Sequence, residues 1–439
     1  MELLFHKGTI RIEGNYNTIY AKWDKRANYY RAEALHYKDI IEYLKNSNIE
    51  YQDRVLDLIP CPHFKSNIKL RDYQKEALKK WFINKKGIIV LPTGAGKTIL
   101  AIKIIERINS PTFILVPTLD LVYQWKDELE KAFNFKIGEY TGKKKEIQSI
   151  TVSTYNSAFI NATYLGNKFK LLIFDEVHHL PSESFIQIAE MFASPYRLGL
   201  TATYERLDGL HKELPRLIGG IVYEKKADDL KGKYLSNYEK KRISIDLTEE
   251  ERIDYKDNME FFKNFLISRN IRMSSNSDFQ KLIMRSGYDP EARKAILARN
   301  KAVNIAYNSN NKIEKLKELL NKKDRIIIFT RYNDMVYKIS RKFLIPCITY
   351  RTNNKERKDI LKKFKKGLYT IIISSQVLDE GIDVPEANIG IILSGTGSKR
   401  EFTQRLGRLL RPREGKKAIL YELVSKNTIE VKTSYRRKK

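Results

Sequence analysis

The sequence predicts an α/β protein built from two parallel-sheet domains, with a small N-terminal α+β unit and a helical insert. Three observations carry that expectation. Short, largely apolar runs alternate with helical stretches in I-I-V-L (88–91), F-I-L-V (113–116), I-T-V-S (150–153), L-L-I-F (171–174) and L-G-L-T (198–201), as strands buried on both faces do. The same alphabet returns in I-I-I-F (326–329), I-I-I-S (371–374), I-G-I-I-L (389–393) and A-I-L-Y (418–421). The first run leads into V-L-P-T-G-A-G-K-T (90–98), a strand, a glycine loop and a helix start in the order a phosphate-binding loop needs.

Taken in order, residues 1–62 form their own expected unit. Alternating stretches surround Thr9 to Ile12 and Tyr16 to Trp23, and Tyr37, Ile40, Ile41 and Leu44 then recur at helical spacing. Pro60-Cys61-Pro62 ends the unit, because two prolines so close continue neither a helix nor a central strand. Residues 63–225 are expected as the first parallel-sheet domain and 226–425 as the second, with a cleft between them. Within the second, about 248–311 is rich in Lys, Arg and Phe, lacks strand runs and is expected to be a helical insert. Residues 426–439 are expected to be a basic tail, disordered from Tyr435 onward.

Composition narrows the partner. With 82 Lys and Arg against 53 Asp and Glu, the 439-residue chain carries a net charge of +29, the footprint of a protein that meets a polyanion. Nucleic acid is the first candidate. No apolar run approaches the ~20 residues of a membrane span, and no lipidation motif or long basic amphipathic helix supports a membrane partner. Cys61 and Cys347 lie far apart without C-x-x-C spacing, so neither a zinc site nor a disulfide framework is expected. A cytoplasmic, reducing compartment is the expectation.

In the phosphate loop, Gly94 and Gly96 let backbone N–H groups close on phosphate oxygens, the helix start adds its positive end, and Lys97 supplies a point charge. Thr98 is expected to hold Mg²⁺. Leu91 stands where the motif ordinarily opens with Gly. The fourth strand run ends in D-E-V-H-H (175–179), which places Asp175 to hold Mg²⁺ and Glu176 to polarise the attacking water. His178 and His179 lack zinc-site spacing. In Q-R-L-G-R-L-L-R (404–411), Gln404, Arg408 and Arg411 share a helical face, suited to a water and a γ-phosphate.

Beyond these, L-R-D-Y-Q (70–74), V-P-T-L-D-L-V-Y-Q-W (116–125), V-S-T-Y (152–155), T-A-T (201–203), I-F-T-R (328–331) and L-D-E-G-I-D (378–383) stand in order around the motifs above. The set resembles a superfamily-2 helicase. Within that superfamily, D-E-V-H-H-L-P-S (175–182), G-L-T-A-T-Y-E-R-L-D-G (199–209) and L-P-R-L-I-G (214–219) are most similar to the archaeal XPB helicases. The resemblance implies two RecA-like domains, an N-terminal damage-recognition-like unit and a thumb-like insert.

It also implies roles. Arg71 and Gln74 would read adenine, Gly94, Ala95, Gly96, Lys97 and Thr98 would cradle phosphates, and Asp383 would meet the ribose. His178, Thr201 and Thr203 would couple hydrolysis to movement. Thr118, Ser153, Thr154, Arg206 and Arg331 would touch the DNA backbone. ATP and Mg²⁺ are the implied cofactors, and the implied activity is 3′-to-5′ DNA translocation and unwinding in nucleotide excision repair or transcription. A nuclease of the archaeal XPB-associated (Bax) type is the implied partner. One departure stands out, because the family's Arg-Glu-Asp element is Arg206-Leu207-Asp208 here, which bears on strand separation more than on hydrolysis. Rival expectations are a duplex translocase without strong unwinding, an RNA helicase, and a non-catalytic DNA scaffold; the intact Lys97, Glu176 and Gln404 stand against the last.

Overall fold

The computed structural model describes residues 1–14, 19–206, 208–230, 234, 237–321, 323–375, 387–395 and 417–436. They fall into two compact units, one reaching to Tyr234 and the other beginning after it. This moves the boundary expected at 225. The Lys225 N–H donates to Val90 O at 3.0 Å, and Leu230 is buried, so the chain is still satisfying its groups on the first unit beyond that point.

The first unit opens with a sheet of β1 (Glu2–His6), β2 (Thr9–Glu13), β3 (Ala21–Asp24), β4 (Tyr29–Glu33) and β5 (Gln52–Arg54), in the order β3-β4-β2-β1-β5. Alternation puts Leu3, Ile10, Ile12 and Ala32 on one face, and the helix Tyr37–Asn46 covers them with Ile40 and Leu44. This sheet does not stand as a separate body. The backbone N–H groups of Asp57 and Ile59 donate to Asn167 O and Lys168 O at 3.1 and 3.2 Å, and Ala193 joins the N-terminal core. Residues 1–62 thus share one compact unit with the phosphate-loop sheet, because the segment leaving β5 finds its hydrogen-bond partners there.

That larger sheet holds β6 (Lys86–Val90), β7 (Thr112–Val116), β8 (Gly138–Tyr140), β9 (Lys145–Glu146), β10 (Ile150–Thr154), β11 (Leu171–Asp175), β12 (Tyr196–Thr201) and β13 (Ile221–Glu224). Their order is β13-β6-β12-β11-β7-β10-β8-β9, and every pair is parallel except β8 with β9. Every residue of β7, β10 and β11 is buried, which is why their sequences read as runs rather than alternation. Parallel pairing also brings the C-terminal ends of β6, β7, β10, β11 and β12 to one edge, where the motifs lie.

The second unit holds β14 (Asn237–Ile245), β15 (Ile326–Phe329), β16 (Cys347–Ile348), β17 (Ile371–Ser374), β18 (Ile389–Ile392) and β19 (Lys417–Ser425), ordered β14-β19-β18-β15-β17-β16 and parallel throughout. β14 is a strand the sequence reading passed over. It sits at the sheet edge, where Glu239, Lys240 and Lys241 are tolerated, so no apolar run marks it. The insert is helical over Glu249–Ser268, Asn276–Arg285 and Pro290–Tyr307, with Phe262, Phe265, Leu282, Ala292 and Ala295 as its own small core. Among the described residues no helix is long and apolar enough to cross a membrane.

The expected basic tail is also corrected, because Ile429–Arg436 is a helix bound into the unit. Glu430 and Lys312 are both fully buried and meet at 2.6 Å, and Lys312 Nζ further donates to Leu393 O at 2.8 Å. Glu430 also accepts the Ser425 backbone N–H at 2.9 Å. Removing one partner strands the other charge away from water. Lys312→Met is therefore expected to destabilise the second unit by about 3–5 kcal/mol in denaturant titrations. Glu430→Gln added to it should recover part of that loss.

Candidate functional site

The phosphate loop leaves β6 in a conformation its sequence requires. Gly94 and Gly96 hold φ of +83° and +74°, the left-handed region, and Gly96 caps the helix Lys97–Ile108. A Cβ on Gly96 would lie 2.7 Å from Gln74 Nε2. Leu91, by contrast, needs no glycine. It is buried without positive φ, its N–H donates to Thr201 O at 3.0 Å, and its carbonyl accepts from Lys97 Nζ at 3.2 Å.

Gln74 braces this loop. It is buried on the helix Asp72–Asn84, accepts the Arg71 N–H at 2.9 Å, and donates through Nε2 to Ala95 O and Gly96 O at 3.1 and 3.2 Å. The expected adenine reader is thus committed at both ends of its carboxamide within the protein. Tyr73 adds a bond from its hydroxyl to Ala95 O at 2.6 Å. The Arg71 guanidinium donates to Tyr234 O at 3.2 Å and lies 5.7 Å from the Tyr234 ring centroid, a contact nothing in the sequence pattern announces.

Asp175 ends β11 and is buried. One carboxylate oxygen accepts from Trp125 Nε1 at 2.8 Å and the other from the Glu176 backbone N–H at 3.0 Å. Burial pushes the Asp175 carboxyl above the usual range, while the Lys97 ammonium, the Trp125 and Glu176 hydrogen bonds and His179 pull it back. The Lys97 ammonium thus favours the charged form of Asp175. Tyr155 donates its hydroxyl to Asp175 O at 3.0 Å, and burial keeps it a phenol.

Glu176 holds φ of +48°, a strained setting for a non-glycine residue that turns the chain sharply after the strand. Two residues on, buried His178 meets Thr201 Oγ1 through Nδ1 at 3.1 Å, and Glu176 Oε2 lies 3.5 Å from the same nitrogen. The single Thr201 hydroxyl proton goes to Thr203 O at 2.7 Å, so the network assigns the hydrogen of this contact to His178 Nδ1. The acidic strand end and T-A-T are joined by consecutive hydrogen bonds. Thr93 Oγ1 and Thr203 Oγ1 are buried with no hydrogen-bond partner among the described residues, and with Thr98, Asp175 and Lys97 this is a donor set suited to phosphate and a hard cation.

The residues expected on DNA divide. Thr118 begins the helix Leu119–Phe133 and accepts Leu121 N–H at 3.4 Å, whereas Thr154, expected on DNA too, is buried at the start of the six-residue helix Tyr155–Ile160, where its hydroxyl accepts Ser157 N–H at 3.3 Å and donates to Ser157 Oγ at 3.0 Å. Ser153 is corrected, because it is fully buried and its hydroxyl donates inward to Tyr140 O at 2.7 Å. Arg206 is likewise turned inward. It donates to His178 O and pairs with both oxygens of Asp208, whose pKa it pulls down to about 2. Arg331 is exposed in the second unit, 5.6 Å from the Tyr332 ring. Leu207, Asp383, Gln404, Arg408 and Arg411 lie outside the described residues.

Three family models match parts of this chain. Residues 3–55 match the Xeroderma pigmentosum group B helicase damage recognition domain, 67–206 the type III restriction enzyme res subunit, and 284–439 the ERCC3/RAD25/XPB C-terminal helicase. The DNA 3′-5′ translocase XPB2 of Sulfurisphaera tokodaii is 48% identical over 419 residues, 95% of each chain. The DNA 3′-5′ helicase XPB of Mycobacterium tuberculosis is 29% identical over 84% of this chain and 63% of its own. The general transcription and DNA repair factor IIH helicase/translocase subunit XPB of Dictyostelium discoideum is 30% identical over 85% of this chain and 46% of its own. This chain therefore spans nearly all of the first relative and about half to two-thirds of the others. The Pyrococcus furiosus Hef helicase domain shares the fold, with a TM-score of 0.54 at 21% identity, covering 84% of this chain and 98% of that one.

Fold and site together define an α/β helicase of superfamily 2. The identity extends over almost the whole of both chains, N-terminal sheet and helical insert included. The chain belongs to the XPB family.

Gly96 offers the most direct test of the loop. Gly96→Ala forces an alanine into the left-handed region against Gln74, which costs about 1–3 kcal/mol. A thermal-shift measurement is expected to show a lower midpoint and loss of the upward shift given by Mg²⁺ and ATP.

Proposed function

We propose that this protein is an ATP-driven DNA translocase and helicase moving 3′ to 5′, acting in nucleotide excision repair or transcription. The observation that carries the reading is the set Lys97, Asp175 and Glu176 at one sheet edge, with the hydrogen-bonded path from His178 through Thr201 to Thr203. The names of the relatives and the net charge of +29 support DNA as the track. Arg331 and Thr118 are the proposed backbone contacts, so affinity should fall steeply with salt and depend little on sequence. A nuclease of the Bax type as partner, and a cytoplasmic location, belong to the same reading.

The proposed chemistry uses the chain's own groups in order. Backbone N–H groups of Gly94, Ala95 and Gly96 hold phosphate oxygens, and Lys97 neutralises the phosphates farthest from the ribose. Mg²⁺, when held by Thr98 and Asp175, supplies charge compensation across the bond that breaks. Glu176 accepts hydrogen from the attacking water, with one carboxylate oxygen held 3.5 Å from His178 Nδ1. Arg71 is proposed to stack on the base, and Asp383 to meet the ribose. Gln404, Arg408 and Arg411 are proposed to complete the γ-phosphate surroundings. His178, Thr201 and Thr203 would pass the change of state at Glu176 to the segment after β12.

A second reading is favoured by one observation. Arg206 is folded onto Asp208 and His178 O instead of facing outward, and the carboxylate expected beside it is absent from position 207. Translocation on duplex DNA with weak strand separation fits that arrangement. A triplex-displacement assay should then report robust movement where a forked-duplex assay reports little opening.

Lys97→Ala tests the core of the proposal. Turnover with duplex DNA is expected to fall at least a hundredfold, about 3 kcal/mol of lost electrostatic stabilisation, while DNA affinity without nucleotide is retained. Unchanged phosphate release would defeat the assignment. Comparing stimulation by duplex DNA, single-stranded DNA and RNA separates DNA translocation from RNA unwinding.

A further inference from the structure

A segment proposed to touch DNA closes back on the Asp175 carboxylate, and the neighbouring segment holds the main chain of the same residue. The sheet order places β7 between β11 and β10, all parallel, so Thr118 after β7 and Thr154 at the end of β10 emerge beside Asp175. Each threonine starts a helix whose own aromatic residue reaches Asp175. Trp125 lies seven residues past Thr118, about 10 Å along the helix axis. Its indole N–H, a donor with no acceptor role, is buried and spent on the Asp175 carboxylate at 2.8 Å. Tyr155 directly follows Thr154 and holds the Asp175 main-chain oxygen at 3.0 Å, with its ring 6.2 Å from His179 and 5.3 Å from Phe185.

Resting on the translocase reading above, we infer that Trp125 is a positioning residue that couples the DNA-facing helix start at Thr118 to the Asp175 carboxylate, with Tyr155 as the anchor of the Asp175 main chain. The physical basis is rigidity. Val122, Trp125, Leu129 and Phe133 bury one face of the helix Leu119–Phe133, so a displacement at its start moves the indole with it. A charge-assisted hydrogen bond is strongly dependent on geometry, so a small shift of the indole re-aims the carboxylate. Tyr155 limits the response to the side chain by anchoring the main chain of the same residue. A DNA strand seated at Thr118 thereby favours one setting of Asp175, and by reciprocity a nucleotide that requires that setting favours DNA.

The test measures that reciprocity without turnover. Binding of a non-hydrolysable ATP analogue with Mg²⁺ is measured by calorimetry on the full chain, with and without a short DNA duplex. In the unaltered protein the duplex is expected to tighten analogue binding about tenfold, within the range usual for coupled sites. In Trp125→Phe, which keeps an aromatic ring and removes the N–H, the factor should fall below about twofold, a split that simple loss of packing would not produce. Tyr155→Phe removes a single oxygen, guards against a folding defect in the first variant, and should also lower the factor.

Full coupling in both variants would overturn the inference and leave the translocase reading standing. No coupling in the unaltered protein, together with no DNA-stimulated hydrolysis, would overturn both. As a second readout, the Trp125 indole N–H resonance is expected to move on adding duplex alone; a stationary resonance would count against the relay.

Discussion

A carboxylate at the end of a strand buried on both faces cannot stay charged without compensation, and Asp175 organises its surroundings for that reason. Lys97 supplies opposite charge, Trp125 and the Glu176 backbone supply hydrogen bonds, and Tyr155 holds the main chain. Each comes from a different element at the C-terminal edge of the parallel sheet. The phosphate loop, both helix starts and the strained turn at Glu176 are thus tied to one residue. Parallel pairing brings them to one edge, and the demand for compensation holds them there.

Three other buried charges show the same physics put to structural use. Arg197 is 1% exposed and has no carboxylate in contact among the described residues; its guanidinium donates to the carbonyls of Ser194, Ala189, Leu217 and Phe192. Burial pulls its pKa down to about 9, so it stays protonated near neutral pH and staples the start of β12 to the segments on either side. In the second unit the Lys312–Glu430 pair does comparable work, joining the helix Asn310–Leu319 and the C-terminal helix to Leu393 beyond β18. Charges that read as surface residues in the sequence are here the fasteners of the interior.

The proposed coupling of chemistry to movement runs through short, largely buried hydrogen bonds. His178 to Thr201 to Thr203 links the acidic strand end to the segment after β12, and Arg206 ties that segment back to His178 O. Gln74 and Tyr73 tie the preceding helix to Ala95 and Gly96. Buried networks of this kind have few alternative arrangements of similar energy, which is what a switch between nucleotide states requires.

The sequence by itself determined the parallel sheets, the phosphate loop, the acidic strand end and the polyanion partner. Strands buried on both faces must be apolar runs, a left-handed loop must use glycine at 94 and 96, and net charge needs no fold to be counted. It did not reveal β14, whose edge position tolerates charge, or the helix after 428, whose place depends on a buried Glu430 paired far away in sequence. Nor did it reveal that Ser153 points inward, that Gln74 is spent on the loop, or that Trp125 and Tyr155 grip Asp175. Those are pairings between residues tens of positions apart, and only the packed structure decides which donor meets which acceptor once water is excluded.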